Sequence, residues 1–211
     1  MNEVLWYKQS SFRFDLPGGK LLYIDPWEVP DGEPKADAIL ITHAHYDHFD
    51  TATINRLRTD KTIIVAPADV AEELGEGALA IAPGEEQEVM GSGIKAVPAY
   101  NIDKSFHPKK NNWVGYVIEI DGQKWYHAGD TDLIPEMEDL APQTALLPIG
   151  GTYTMDAKEA AEAAQKIQAQ RAIPMHYGFV VGKPSDAEIF KQLSSVPVEI
   201  PVPQIPFREL T

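Results

Sequence analysis

Short apolar runs punctuate the chain, separated by segments that carry helix-start signals. Residues 21–24 (Leu-Leu-Tyr-Ile), after a Gly18-Gly19 turn, read as a strand, as do 38–41 (Ala-Ile-Leu-Ile) and 62–65 (Thr-Ile-Ile-Val). Residues 113–120 and 123–127 predict a hairpin around Asp121-Gly122, a dipeptide that tolerates the left-handed backbone of a tight turn. A further strand over 145–147 ends at Pro148-Ile149-Gly150-Gly151, and a short one over 172–173 runs into Pro174-Met175-His176. Three helices are expected, each opened by Asp or Ser with Glu three positions on, as in a capping box: Asp69 with Glu72, Asp156 with Glu159, and Ser185 with Glu188. The second should run through an alanine-rich face to about Gln168. Residues 196–207, rich in proline and valine, read as an extended arm lying on a sheet edge or against a second subunit, which would make a homo-oligomer. Strands and helices in this order predict an α/β protein.

Two stretches echo each other. Residues 22–25 followed by 37–43 resemble 125–130 followed by 144–150: a strand ending in aspartate, then a second ending at a polar or glycine loop. Two such units packed sheet on sheet, with helices outside, would make a four-layer αββα sandwich.

A chain of 211 residues is most simply one domain, 1–211, able to bury a substantial core. No stretch approaches the roughly 20 apolar residues of a membrane helix. The first 12 residues lack a basic segment followed by an apolar one, so a cytoplasmic location is the default expectation. The net charge of −14 disfavours nucleic acid and anionic membranes as partners, leaving a small-molecule substrate. There is no cysteine, so any metal falls to histidine and carboxylate.

The chemistry concentrates at residues 42–50, Thr-His-Ala-His-Tyr-Asp-His-Phe-Asp, which hold three of the six histidines. Residues two apart on a strand share a face, so continuation of the 38–41 strand would let His43 and His45 grip one metal ion. Asp47 and His48, past the strand, could turn towards a second. Imidazole with carboxylate suits zinc, manganese or iron as divalent ions, zinc being the first choice. Two ions need further ligands, and His107, Asp130 and His176 stand in loops or at strand ends. Gly129 permits a tight strand exit that would leave the Asp130 carboxylate at the sheet edge, where it could bridge two ions.

Residues 42–50 match the His-x-His-x-Asp-His signature of the metallo-β-lactamase superfamily, and the chain resembles that family from about Tyr23 to Gly178, through Ala128-Gly129-Asp130-Thr131 and Pro174-Met175-His176-Tyr177-Gly178. It looks most like the small metal-dependent hydrolases, similar in layout to ascorbate-6-phosphate lactonase and the N-acyl-phosphatidylethanolamine phospholipase D branch. The resemblance implies an αββα sandwich with His43, His45 and His107 on one ion, Asp47, His48 and His176 on the other, and Asp130 bridging. It also implies a metal-bridging hydroxide that attacks a carbonyl or phosphorus, with Asp47 and Asp130 as catalytic residues and a phosphodiester or lactone as substrate. Lacking cysteine and any long insert, the chain departs from some true β-lactamases and from tRNA-processing members.

Other residues carry weaker expectations. Asp50 and Thr131 are candidates either to orient ligand imidazoles or to cap a helix and close a turn. Asp25 is expected to be structural or to stand behind a ligand, and alternation sends His127 to the opposite face from Asp130. Lys104, Lys109, Lys110 and Lys183 would form a positive entrance for a small anionic substrate if their loops line the cleft. Tyr153 and Met155 would form an apolar wall or staple the helix that follows. Two other classes stay open: an iron-dependent redox enzyme, against which stand His45 where the di-iron branch has glutamate and the lack of a flavin domain, and a non-catalytic metal-binding module.

Overall fold

The structure is a computed structural model and describes residues 4–207. Sheet A takes β1 (Val4–Lys8), β2 (Ser11–Leu16), β3 (Lys20–Ile24), β4 (Ala38–Leu40), β5 (Ile63–Ala66) and β6 (Ala78–Ala80), in chain order. Sheet B takes β7 (Glu86–Val89), β8 (Ser92–Pro98), β9 (Val114–Ile120), β10 (Gln123–His127), β11 (Thr144–Pro148) and β12 (Arg171–Met175), also in order. In each sheet an antiparallel meander gives way to parallel strands, at β3–β4 in one and β10–β11 in the other. That is the echo visible in the sequence.

Alternation along the strands builds the layers. Leu22, Ile24 and Leu40 face inward onto Tyr116, Ile118 and Leu146 of the other sheet. Their neighbours Tyr23 and Ile39 face outward onto Ile54, Leu57 and Val70 of α1 (Thr51–Leu57) and α2 (Ala68–Leu74). Beyond sheet B lie α3 (Ala157–Lys166) and α4 (Asp186–Leu193), whose buried alanines and Phe190 belong to the same continuous apolar cluster from its outer side. The result is the expected αββα sandwich.

Several elements differ from expectation. The amino-terminal hairpin β1–β2, the helix α1, and β6 to β8 are additions. The strand at 38–41 ends at Leu40, because beyond it the backbone of Thr42 turns away to pair with Val114 of the other sheet. The box at Asp156 and Glu159 forms in full. The other two do not. α2 starts from Pro67, which puts Asp69 inside the first turn, and its carboxylate instead accepts from Trp113 Nε1 at 2.8 Å. Ser185 is itself helical and caps nothing with its side chain, while Asp186 accepts from the Lys183 amide.

The arm at 196–207 straps the two sheet edges together. Glu199 N donates to Ala172 O beside β12, and Gln204 N and Ile205 N donate to Trp6 O and Tyr7 O of β1. Phe207 then closes an aromatic cluster with Trp6, Tyr177 and Phe179.

Candidate metal centre

The parallel strands of both sheets end at one edge of the sandwich, and the polar residues singled out in the sequence leave from those ends. Asp25 follows β3, His43 to His48 follow β4, Asp130 follows β10 and His176 follows β12. Brought together there are His43, His45 and His107; His43, His48 and Asp130; and Asp47, His48 and His176, each triad with candidate ligand atoms within 4.8 Å of one another. Asp130 is central. Its Oδ2 lies 3.0 Å from His176 Nε2, 3.3 Å from His107 Nε2 and 3.9 Å from His43 Nε2, and its Oδ1 lies 3.3 Å from His48 Nε2.

His43 and His45 do not reach the centre by sharing a strand face, as the spacing suggested. β4 has ended, and residues 43–48 form a turn closed by His48 N and Phe49 N donating to His45 O. The chain then enters α1, which Asp50 caps by accepting from Ala52 N and Thr53 N. Of the two roles open to Asp50 it takes the capping one. Thr131 likewise bonds to the backbone of Tyr100 and Asp132.

Buried partners orient three of the rings. Asp25 accepts from His48 Nδ1 at 2.7 Å, from Thr42 N at 2.8 Å and from Thr42 Oγ1 at 2.7 Å. Having given its only proton to Asp25, the Thr42 hydroxyl accepts from His43 Nδ1 at 2.9 Å. Asn101 Oδ1 accepts from His107 Nδ1 at 3.1 Å. Each bond commits Nδ1 as the donor and leaves the Nε2 lone pair facing the centre. Trp113, held by Asp69, packs against His43 and His45 with ring centroids 5.1 and 4.9 Å away. His127 faces away, its Nε2 donating to Ser10 O, as alternation predicted.

Four of the inward atoms lack hydrogen bonds. His48 Nε2, His107 Nε2, His176 Nε2 and Asp130 Oδ1 are buried, close to one another and without a hydrogen-bond partner. Groups of this kind are costly to bury unless something binds them, and a divalent cation fits the donor set of imidazole nitrogen and carboxylate oxygen.

Electrostatics point the same way. Burial pushes the Asp130 carboxyl up, but His176 and His48 outweigh it and hold it well below the usual range. Burial also opposes the shift of Asp47, which His48 and His176 pull down to about 2. Burial lowers His176, yet Asp130 and Asp47 prevail and raise it to about 9. His48 rises well above the ordinary value for the same reason, Asp130 leading. Burial and the neighbouring His48 drive His43 well below its ordinary value. Two buried carboxylates thus demand positive charge, and without an ion protonated histidines supply it.

Among the residues expected at the entrance, the lysines do not line the cleft. Lys104 pairs with Asp132 at 2.6 Å and Lys109 with Glu136 at 2.6 Å, so they brace the loop that carries His107. Met155 is buried in the core, whereas Tyr153 does line the cleft. Sequence reasoning missed Gln9, Asn101 and Trp113. Asn101 had a usable signal, an amide in the same polar loop as His107; Gln9, in a two-residue turn, had none. A larger cleft of about 460 Å³, around Leu16, Lys20 and Met90, opens at the opposite end of the strands and gathers no such cluster.

A four-layer αββα sandwich with histidines and aspartates at one sheet edge defines the metallo-β-lactamase fold. Residues 3–176 match the family model of the beta-lactamase superfamily domain, and the chain belongs to that superfamily. It is 39% identical over 203 residues to a UPF0173 metal-dependent hydrolase of Thermococcus onnurineus, covering 89% of this chain and 90% of that one. A crystal structure from Parabacteroides distasonis superposes with a TM-score of 0.84 at 31% identity, over 97% of this chain and 99% of that one. Igni18, a metallo hydrolase from Ignicoccus hospitalis, superposes with a TM-score of 0.76 at 28% identity, over 96% and 95%. These names are general, and the likeness to the lactonase and phospholipase branches stays a resemblance.

Proposed function

We propose that the chain is a dinuclear metal-dependent hydrolase of small ester substrates. His43, His45 and His107 would hold one divalent ion, Asp47, His48 and His176 the other, with Asp130 between them. The observation that carries this reading is the convergence of buried imidazole nitrogens and an Asp130 oxygen that have no hydrogen-bond partner on a point ringed by seven candidate ligands. Metal-dependent hydrolase is also the name borne by the Thermococcus onnurineus relative. Once bound, two divalent ions, zinc by first preference and manganese or iron otherwise, supply Lewis acidity and a water acidified to near neutrality as the nucleophile.

The chain's own residues do the rest. Asp25, Thr42 and Asn101 hold His48, His43 and His107 with Nε2 inward, so little reorganisation accompanies loading. Asp47 stays ionised, and the oxygen not engaged by Gln9 is available to accept a hydrogen bond that orients the attacking water. Tyr46, Phe106, Tyr153 and Val180 wall the cleft and shield the reacting centre from bulk water. Carbonyl and phosphoryl esters both suit such a site.

The test is turnover of bis(p-nitrophenyl) phosphate, p-nitrophenyl acetate and a γ-lactone by protein loaded with zinc or with manganese, beside Asp130→Ala. Turnover of at least one substrate that vanishes in the variant supports the reading. A fully loaded protein inert towards all three overturns it.

A further inference from the structure

The cleft above the centre measures about 260 Å³, below the usual range for a drug-sized ligand. Its floor is ligating side chains. The remaining lining residues are Tyr46, Phe106, Tyr153 and Val180, and among the described residues no lysine or arginine lines it. Single exposed apolar residues are ordinary, and Leu79, Ile102, Ile189, Leu193 and Val202 are such cases away from this cleft. Tyr46 (64% exposed) and Phe106 (45%), however, stand together on its wall, and an apolar grouping at a cleft is what marks a binding surface. Both are braced. Phe106 meets the ring of Tyr153 edge-on at 4.6 Å, and Tyr46 meets the buried Trp27 edge-on at 5.8 Å. Asn101 ties the two loops on the Phe106 side together, donating from Nδ2 to Tyr153 O at 2.9 Å while it orients His107. Ring placement is therefore mechanically linked to the candidate ligand set.

We propose that the substrate carries a small uncharged apolar group, an aryl ring or short alkyl chain, beside its scissile bond, and that Phe106 and Tyr153 on one side and Tyr46 and Val180 on the other receive it. The inference rests on the hydrolase reading of the same site and deepens it by naming the substrate class. Charge recognition falls to the floor and apolar recognition to the wall. The small volume sets a limit of about one ring, which separates this pocket from one built for long acyl chains.

The experiment compares methyl acetate, methyl propionate and methyl butyrate, which bring no ring of their own to fill the wall, with zinc-loaded protein, in parallel with Phe106→Ala, Phe106→Leu and Tyr153→Ala. Each buried methylene should raise kcat/KM about fourfold, so butyrate should exceed acetate by about tenfold or more. Phe106→Ala should collapse that ratio, and Phe106→Leu should keep most of it. A flat or falling series in the unaltered protein, with acetate turnover intact and lost in Asp130→Ala, overturns the apolar wall and leaves the hydrolase reading standing. If no ester is turned over, calorimetry with phenylphosphonate and methylphosphonate decides separately. Binding of the phenyl compound at least about tenfold tighter supports the wall, and equal affinity or no binding overturns it.

Discussion

Gln9 donates from Nε2 to Asp47 Oδ2 at 3.0 Å, and its own carbonyl accepts from His176 N at 2.9 Å. One residue of the first hairpin thus braces two of the three residues assigned to the second ion, Asp47 through its side chain and His176 through its backbone. Gln9 sits fully buried in the tight turn, with φ of 48°, and Trp6 Nε1 donates to the same carbonyl at 3.0 Å.

Gln9→Ala keeps the carbonyl that holds His176 but removes the amide that holds Asp47, and should weaken the second ion by about 10- to 100-fold, the usual loss when the partner of a ligand is removed. The first ion should be held almost unchanged. A two-step zinc titration followed by calorimetry checks this. Equal weakening of both steps would mean that Gln9 supports the whole edge and not Asp47 in particular.

Asp25→Ala should destabilise the metal-free protein by about 3–5 kcal/mol, because three buried donors lose their shared acceptor. Urea unfolding gives the number. A change under about 1 kcal/mol would show that Asp25 is not the anchor of the Thr42–His48 segment.

Gly129 has φ of +64°, and a Cβ there would stand 2.9 Å from Val114 O and 3.2 Å from Thr42 Cβ. Gly129→Ala should therefore cost more than the roughly 1–2 kcal/mol of the left-handed conformation alone, and by moving Asp130 it should weaken metal binding too. Gly122→Ala, also at positive φ (+69°) but in open space, should cost only the conformational part. Comparing the two unfolding midpoints separates strain from collision.

Metal binding should release protons. His176, raised to about 9, and His48, raised well above its ordinary value, are both protonated at pH 7 without an ion. Zinc must displace those protons, so its affinity should climb as pH rises through about 9. Calorimetry in buffers of differing protonation enthalpy counts the protons, and a count of zero would contradict the assignment. In the metal-free protein the raised His176 stabilises fully below the ordinary histidine pKa of 6.5, and that contribution is lost as pH rises through about 9. Asp47, lowered to about 2, acts in the opposite sense: its contribution is present above the ordinary 3.8 and lost as pH falls through about 2.

Much of the centre was legible because ligating chemistry is written in residue type and spacing. The run from His43 to His48 is dense enough to stand out, and Asp130 and His176 follow strands that their apolar runs betray. The parallel pairs β3–β4 and β10–β11 were visible as an internal echo, since each strand ends in the same way. What escaped is set by tertiary contact. β2 carries Arg13 and Asp15 on one face, which breaks up its apolar run although Phe12 and Phe14 are buried. Asp69 has the sequence of a cap but serves Trp113, a residue 44 positions away. Lys104 and Lys109 looked like free charge at an entrance, yet Asp132 and Glu136, also remote in sequence, take them up.

The most direct test of the central claim is the number of divalent ions bound per chain, counted by native mass spectrometry on zinc-loaded protein and on Asp130→Ala. Two ions in the unaltered protein, with loss of tight binding at both positions in the variant, is the expected result. A single ion, or two ions that remain in Asp130→Ala with unchanged affinity, would contradict a dinuclear centre built around Asp130.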